Sequence, residues 1–314
     1  MKPEILALVP IYAPTLAELE RRYTVHKLWT AKDPDALMRQ VAGSITVVVT
    51  TGLAAYRRRH IEALPGLKLI ACFGNPHGMP AEDRAAAAGR GIAVTNSPDE
   101  IRATVADLAM GLVLATMRRI TEGDRFVRSG KWLNGPATPG RDLGGKTLGV
   151  IGLGGIGREI ARRAEVFGMK VCYHGPRAKP DVAYSYHANL EEMARVSDCL
   201  LAMCPLTPQT RGIVDARVLA AVGPEGFFIN MARGPVVDQQ ALIAALREKT
   251  IAGAGLDVYW DEPRVPAELL ELENVALTPH HGSNTREIRE ERGRKVLANL
   301  EAYFAGKPVL YPVE

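Results

Sequence analysis

An apolar run, Thr147 to Ile151, passes without a linker into Gly152-Leu153-Gly154-Gly155-Ile156-Gly157, and helical periodicity continues from Arg158 to Phe167. A G-x-G-x-x-G string is common by itself. At a strand-to-helix turn it becomes specific, because each glycine then has a separate role. Gly152 permits the tight turn, Gly154 lets the backbone approach a pyrophosphate, and Gly157 lets helix pack closely on strand, with the helix N-terminus facing the phosphates. The string predicts a dinucleotide site on a parallel sheet.

The rest of the chain repeats that grammar. Candidate strands at 5–9, 45–50, 67–73 and 92–95 are separated by amphipathic segments at 15–23, 33–42 and 55–64. A second series starts at Lys146, with strands expected at 147–151, 170–173, 199–203, 227–230, 251–258 and 275–277. Alternation of this kind builds α/β lobes with doubly wound parallel sheets. Between the series, residues 101–128 keep helical periodicity without proline, which predicts one long helix bridging two lobes. The helical, charge-rich stretch 284–305 suits a return to the first lobe. The expected division is therefore 1–99, 100–284 and 285–314, with the outer pieces forming one discontinuous lobe.

Composition removes other classes. The 314 residues carry 39 basic and 35 acidic side chains, a net +4, with only short basic runs such as Arg57-Arg58-Arg59. That is no footprint for nucleic acid or an anionic membrane, and a solvated helix face accounts for the run. Cys72, Cys172, Cys199 and Cys204 lie in apolar stretches without CxxC spacing, so they read as buried hydrophobes in a reducing compartment, with no zinc site or other metal. The N-terminus has Pro10 and an acid where a signal core would be, and the apolar run 108–117 is too short to span a membrane. A cytoplasmic protein is expected.

The second nucleotide-lobe strand normally ends in an acid that bonds the adenosine ribose when the cofactor is NAD. Here it runs Tyr173-His174-Gly175-Pro176-Arg177, with Gly175 at the acid position and Lys179 beyond. Arg177 and Lys179 read either as a cradle for a 2′-phosphate or as a solvated pair; the missing acid favours NADP over NAD.

Three polar residues each follow an apolar strand of this sheet: Arg233, Glu262 and His280. In a parallel sheet such positions line one crevice, at the edge that receives the dinucleotide. Reduction of a 2-oxo acid needs such a set: a guanidinium to hold the carboxylate or keto oxygen, a histidine to protonate that oxygen, and a carboxylate to orient the imidazole and favour its charged form. Each also has a plain structural reading, as a loop cap, a solvated acid and a hydrogen-bonded histidine. His281 competes with His280 for the acid role. Asp257, at a strand end, either bonds a nicotinamide carboxamide or satisfies backbone donors.

The strings 152–157, Cys204-Pro-Leu-Thr-Pro-Gln-Thr210, Asn230-Met-Ala-Arg-Gly-Pro-Val-Val-Asp238, Gly255-Leu-Asp-Val-Tyr-Trp-Asp-Glu-Pro263 and Thr278-Pro-His-His-Gly282 resemble, in order and spacing, the D-isomer-specific 2-hydroxyacid dehydrogenases. The resemblance covers nearly everything from about Ile45 onward. It implies a Rossmann lobe inserted into a discontinuous flavodoxin-like substrate lobe, a homodimer, and catalytic Arg233, Glu262 and His280, the histidine directly after the Thr-Pro pair. It also implies cofactor contacts from Thr104, Cys204, Pro205, Thr210, Met231, Ala232, Asp257 and Gly282. The 175–177 ending resembles the NADP-preferring glyoxylate and hydroxypyruvate reductase branch. Reductases of 2-ketogluconate or aromatic pyruvates are runners-up, and a dinucleotide-sensing protein like the corepressors that share the fold is the non-enzyme alternative. A phosphoglycerate dehydrogenase is disfavoured by the missing acid and by the lack of a regulatory extension.

One stretch departs from the family pattern. After the strand ending at Phe73 the chain reads Gly74-Asn75-Pro76-His77-Gly78-Met79-Pro80, about two residues longer than usual, where the family presents backbone amides to the substrate carboxylate. Gly74, Asn75, His77 and Gly78 are thus expected at the substrate, with His77 either a polar contact to a longer, hydroxylated substrate or an exposed side chain. Trp132 either reaches a partner subunit's site or sits in a dimer core.

Overall fold

The structure is a computed structural model and describes residues 2–51, 56–74, 80–98 and 100–313. Two compact units emerge: Met1–Glu100 with Thr285–Glu314, and Ile101–Asn284.

In the first unit the chain runs β1 (Glu4–Ala7), α1 (Ala13–Arg22), β2 (Thr24–Lys27), α2 (Pro34–Val41), β3 (Val47–Thr51), α3 (Arg58–Ala63), β4 (Leu69–Phe73), α4 (Ala81–Gly89) and β5 (Ala93–Thr95). The five strands are all parallel, in the order β2-β1-β3-β4-β5. Strand β2 is an addition to the four expected. Its sequence, Thr-Val-His-Lys, is only partly buried at the sheet edge and so lacks an apolar run. The helix α2 starts as its sequence dictates: Asp33 Oδ1 accepts from Ala36 N at 2.9 Å, and Pro34 follows where its fixed φ suits the first turn. The C-terminal helix, Arg286–Phe304, packs Val296 and Leu300 onto one sheet face beside Ile5, Val47, Val49 and Leu69.

The second unit begins with α5 (Arg102–Met117) and α6 (Ile120–Arg128). The single bridging helix expected over 101–128 is therefore broken, at Arg119, whose φ is 53°. The cause is packing. Residues 140–141 cross the end of α5, where Arg141 N donates to Met117 O at 2.7 Å and a Cβ on Gly140 would stand 2.9 Å from Arg118 Cα. The buried residues of α5 end at Met117, whereas α6 buries none. Trp132 lies just beyond, in a 3₁₀ turn over Lys131–Asn134, and is 67% exposed.

There follow β6 (Thr147–Ile151), α7 (Gly155–Val166), β7 (Lys170–His174), β8 (Ser185–His187), α8 (Leu190–Arg195), β9 (Cys199–Ala202), α9 (Ala216–Val222), β10 (Phe227–Asn230), α10 (Gln239–Arg247), β11 (Gly253–Leu256), α11 (Ala267–Leu270) and β12 (Val275–Leu277). The sheet has seven strands rather than six, all parallel, in the order β12-β11-β10-β9-β6-β7-β8. The unforeseen β8 is three residues, Ser-Tyr-His, with no apolar run to announce it. Strand order reverses between β6 and β9, which places a crevice between their carboxyl ends.

Register makes that edge explicit. Leu277, Leu256, Asn230, Ala202, Ile151, His174 and His187 pair across the sheet in one continuous row. The residues one step further on, Thr278, Asp257, Met231, Met203 and Gly152, therefore lie along a common rim. Apolar clusters cover both faces, one built on Phe228, Leu242 and Leu219, the other on Val113, Val150 and Ile160.

Candidate active site

The turn after β6 is built by its glycines. Gly152 has φ +99°, and a Cβ there would stand 2.8 Å from the backbone of Cys204. A Cβ on Gly157 would collide with Gly152 O, so helix and turn meet backbone to backbone. Gly154, by contrast, faces open space: a Cβ would meet nothing within 4 Å. That open side is where a phosphate can approach, and α7 begins at it, its first hydrogen bond running from Arg158 N to Gly154 O at 3.0 Å. Leu153 is buried in the core, while Ile156 faces a cleft of about 500 Å³.

The cleft is lined by Ile101, Val105, Ile156, Met203, Cys204, Pro205, Leu206, Met231, Ala232, Arg233, Asp257, Val258, His280, Gly282 and Ser283. Its floor is apolar and its polar groups converge from the ends of β10, β11 and β12. Thr104 and Thr210 are not in this lining. The Thr210 hydroxyl donates to Pro205 O at 2.6 Å and accepts from Thr207 N at 2.8 Å, closing the turn that presents Cys204 and Pro205.

Arg233 is exposed and makes no ion pair among the described residues; its Nη1 donates to its neighbour Ala232 O at 2.6 Å. The bend that carries it is held by Asn230, fully buried at the end of β10, which accepts from Ala232 N and donates to Arg233 O, both at 3.1 Å. Gly234 then passes so close to Tyr259 that any Cβ would collide with the backbone there.

His280 Nδ1 lies 2.7 Å from Glu262 Oε2, and Glu262 Oε1 accepts from Tyr259 N at 3.0 Å. An ionised carboxylate can only accept, so Nδ1 carries the proton and Nε2, without a partner among the described residues, is left for a ligand. His280 itself has φ 52°, a left-handed conformation that costs a non-glycine residue about 1 kcal/mol. What holds it there is Asp257, 2% exposed. Its backbone O accepts from His280 N at 2.9 Å; its carboxylate accepts from His281 N (2.7 Å), Gly282 N (2.9 Å) and the Thr278 hydroxyl (2.6 Å). Of the two readings of Asp257, the backbone clamp is the one these bonds describe, although the residue also borders the cleft. Sequence reasoning missed Asn230, Tyr259 and Thr278 as supports of the site: their hydrogen bonds depend on turns that bring sequence-distant groups together. The signal for Asn230 was its place at the end of a predicted strand, three residues before Arg233.

The fit to a dinucleotide is thus good at two places: unobstructed backbone at Gly154 ahead of a helix N-terminus, and an apolar slot closed by Arg233, Asp257 and His280. Residues 110–282 match the family description "D-isomer specific 2-hydroxyacid dehydrogenase, NAD binding domain". The chain is 44% identical over 309 residues to a glyoxylate/hydroxypyruvate reductase A of Arabidopsis thaliana, covering 98% of each. This chain belongs to the D-isomer specific 2-hydroxyacid dehydrogenase family.

As such a dehydrogenase it is an NAD(P)-dependent oxidoreductase. It is also similar to hydroxyphenylpyruvate reductase of Plectranthus scutellarioides, at 41% identity over 98% of both chains. A solved NADPH-dependent glyoxylate/hydroxypyruvate reductase of Sinorhizobium meliloti, in complex with citrate, matches with a TM-score of 0.84 and 37% identity over 99% of this chain and 98% of that one.

After β7, Gly175 accepts from the Tyr186 hydroxyl through its carbonyl at 3.1 Å, and Lys179 N donates to the Tyr173 hydroxyl at 2.7 Å. Pro176 and Arg177 are exposed, and Arg177 has no partner among the described residues. An acid does occur nearby, Asp181, but it pairs with Arg158 Nη2 at 2.8 Å, and that hydrogen-bonded guanidinium holds its carboxyl below the usual range. The four cysteines are free and buried. Burial pushes the Cys204 thiol up to about 11, so it borders the cleft as a neutral, apolar group rather than a nucleophile.

In the first unit Gly74 is buried with φ +102°, and the Arg292 guanidinium lies beside it, 3.8 Å from where a Cβ would stand. Asn75, His77 and Gly78 lie outside the described residues. Among the described residues no cluster of three or more His, Cys, Asp or Glu could hold a metal, and no helix is long and apolar enough to cross a membrane.

Proposed function

We propose that this dehydrogenase reduces a small 2-oxo acid, glyoxylate or hydroxypyruvate, to the D-2-hydroxy acid, with NADPH preferred over NADH. The observation that carries the catalytic assignment is the 2.7 Å hydrogen bond between Glu262 and His280, which lines the same cleft as Arg233. With its pyrophosphate at the turn 152–157 and its nicotinamide in the slot that Arg233, Asp257 and His280 border, a bound reduced dinucleotide would supply a hydride to C2 of the oxo acid. Arg233 binds the substrate carboxylate and keto oxygen with charge-assisted bonds, which fixes the face of C2 that is presented. As the carbonyl π pair moves onto oxygen, His280 gives its Nε2 proton to that oxygen. Glu262 accepts from His280 Nδ1–H throughout and balances the charge of the imidazolium before transfer. A proton from solvent then restores His280.

The NADPH preference is supported by Gly175 at the position of the ribose acid, by the free Arg177 guanidinium, and by the engagement of Asp181 with Arg158. The cofactor also touches, in this reading, Thr104, Pro176, Lys179 and Thr210; Gly74, Asn75, His77 and Gly78 belong to substrate binding. A cytoplasmic homodimer is part of the same proposal, supported by the exposed Val127, Trp132 and Leu133 of one segment.

The likeness to hydroxyphenylpyruvate reductase favours a second reading, in which the substrate is an aromatic pyruvate. Initial rates of reduced-cofactor oxidation with glyoxylate, hydroxypyruvate, hydroxyphenylpyruvate and 2-ketogluconate, each with NADPH and NADH, decide between them. The highest kcat/KM is expected for hydroxypyruvate or glyoxylate with NADPH. Preference for the aromatic acid would replace the substrate; turnover of none would favour a dinucleotide sensor.

A further inference from the structure

Gly155 is the first residue of α7, and no turn geometry demands a glycine there: its φ lies outside the left-handed region. What it makes room for is Arg102, on the first turn of α5. A Cβ on Gly155 would stand 3.0 Å from Arg102 Nε, 3.1 Å from Cδ and 3.4 Å from Cζ, with no other atom as near. The guanidinium thus occupies the place that a side chain at 155 would take. Arg102 is exposed, donates no hydrogen bond and forms no ion pair among the described residues, in contrast to Arg163 on α7, which is held by both Asp107 and Glu159.

We propose that Arg102 is a cofactor-binding residue that clamps the dinucleotide pyrophosphate from α5, where α7's own early cation, Arg158, is taken up by Asp181. Two properties of the place support this. The first-turn amides of α7 have no intrahelical acceptors and carry the positive end of the helix dipole, so an anion already prefers this spot. A guanidinium alongside adds a bidentate, charge-assisted pair of donors to non-bridging phosphate oxygens. The neighbours of Arg102 on its helix turn, Ile101 and Val105, line the cofactor cleft together with Ile156, so α5 and α7 flank one opening. The proposal rests on the dinucleotide reading of this turn, and it divides the chain's cations between two phosphate groups. Arg102 acts on one common to NADPH and NADH, Arg177 on one that only NADPH carries.

The test measures dissociation constants of the full chain and of Arg102→Ala, Arg102→Lys and the double variant Arg102→Ala/Gly155→Arg, for NADPH, NADH and adenosine 2′-monophosphate, which has the 2′-phosphate but no pyrophosphate. Loss of one charge-assisted pair predicts weakening of about tenfold for Arg102→Ala, equal for NADPH and NADH, with adenosine 2′-monophosphate unchanged and Arg102→Lys intermediate. In the double variant the atoms that crowd position 155 are gone, so the new arginine stands in the vacated place and restores most of the affinity for both dinucleotides. Unchanged NADH affinity in Arg102→Ala overturns the proposal, as does a loss confined to NADPH and adenosine 2′-monophosphate. If the native chain bound neither dinucleotide, the cofactor reading itself would fall, a result distinct from a variant that binds as the native chain does.

Discussion

Glu262 and His280 meet at 2.7 Å, although His280 reaches that position only by adopting a left-handed backbone at φ 52°. The strain and the hydrogen bond belong together: the residue is bent so that one ring nitrogen is spoken for and the other is presented. Replacing Glu262 with Gln keeps a hydrogen-bond acceptor for Nδ1–H while removing the charge. For a group that steadies a proton donor the expected cost is about tenfold or more in kcat, with KM for the oxo acid little changed. Steady-state kinetics of Glu262→Gln checks this; an unchanged kcat would reduce the pair to a structural contact.

Asp257 gives a second, thermodynamic prediction. Its carboxylate satisfies two backbone N–H groups and one hydroxyl in a buried setting. Asp257→Ala strands the buried Gly282 N–H and leaves the part-buried His281 N–H and Thr278 hydroxyl to solvent, and a buried donor to a charged group costs about 1.5–3 kcal/mol, so a destabilisation of about 3 kcal/mol is expected. Thr278→Val, which removes one partner, is expected to cost about 1–2 kcal/mol. Urea denaturation of both variants reads the difference directly.

In the proposed NADPH-binding mode, Arg177→Asp puts a carboxylate where the 2′-phosphate would lie and deletes the cation. Affinity for NADPH falls by about tenfold or more, while affinity for NADH holds or improves. Fluorescence titration with both cofactors measures the ratio, and equal effects on the two would remove Arg177 from 2′-phosphate recognition.

Burial raises several acids in the folded chain: the Cys204 thiol to about 11, and the Cys72 thiol and the Tyr259 hydroxyl each to about 12. In the unfolded chain a thiol ionises near about 8.5 and a tyrosine near about 10. Between those values and the folded ones, only the unfolded state releases these protons. Stability therefore falls as pH rises from about 9 towards 11, the loss beginning with the thiols. Thermal melts across this range are expected to show the decline, and Cys204→Ala and Cys72→Ala, both neutral at every pH, to make it shallower.

Much of this architecture is legible in the sequence because it rests on local chemistry. Glycines 152–157 specify their turn through their own missing side chains, and Arg233, Glu262 and His280 announce themselves by following apolar strands. What escapes the sequence depends on partners brought in by the fold. The break at Arg119 comes from residues 140–141 crossing α5, a contact that helical periodicity cannot register. Strands β2 and β8 are edge strands, short and half-exposed, so neither needs an apolar run. The clamp by Asp257 spans more than twenty positions to Thr278, His281 and Gly282, and Arg102 meets Gly155 across a gap of about fifty residues that only the packing of α5 on α7 closes.

The central claim, that His280 is the proton donor, is tested most directly by kcat for hydroxypyruvate reduction by NADPH in His280→Ala and His281→Ala. His280 faces the cleft with a free Nε2, whereas His281 contributes only its backbone N–H to Asp257 in this site. The prediction is a loss of about a hundredfold or more for His280→Ala and near-native turnover for His281→Ala. Near-native turnover in His280→Ala would contradict the proton donor, and with it the catalytic site described above.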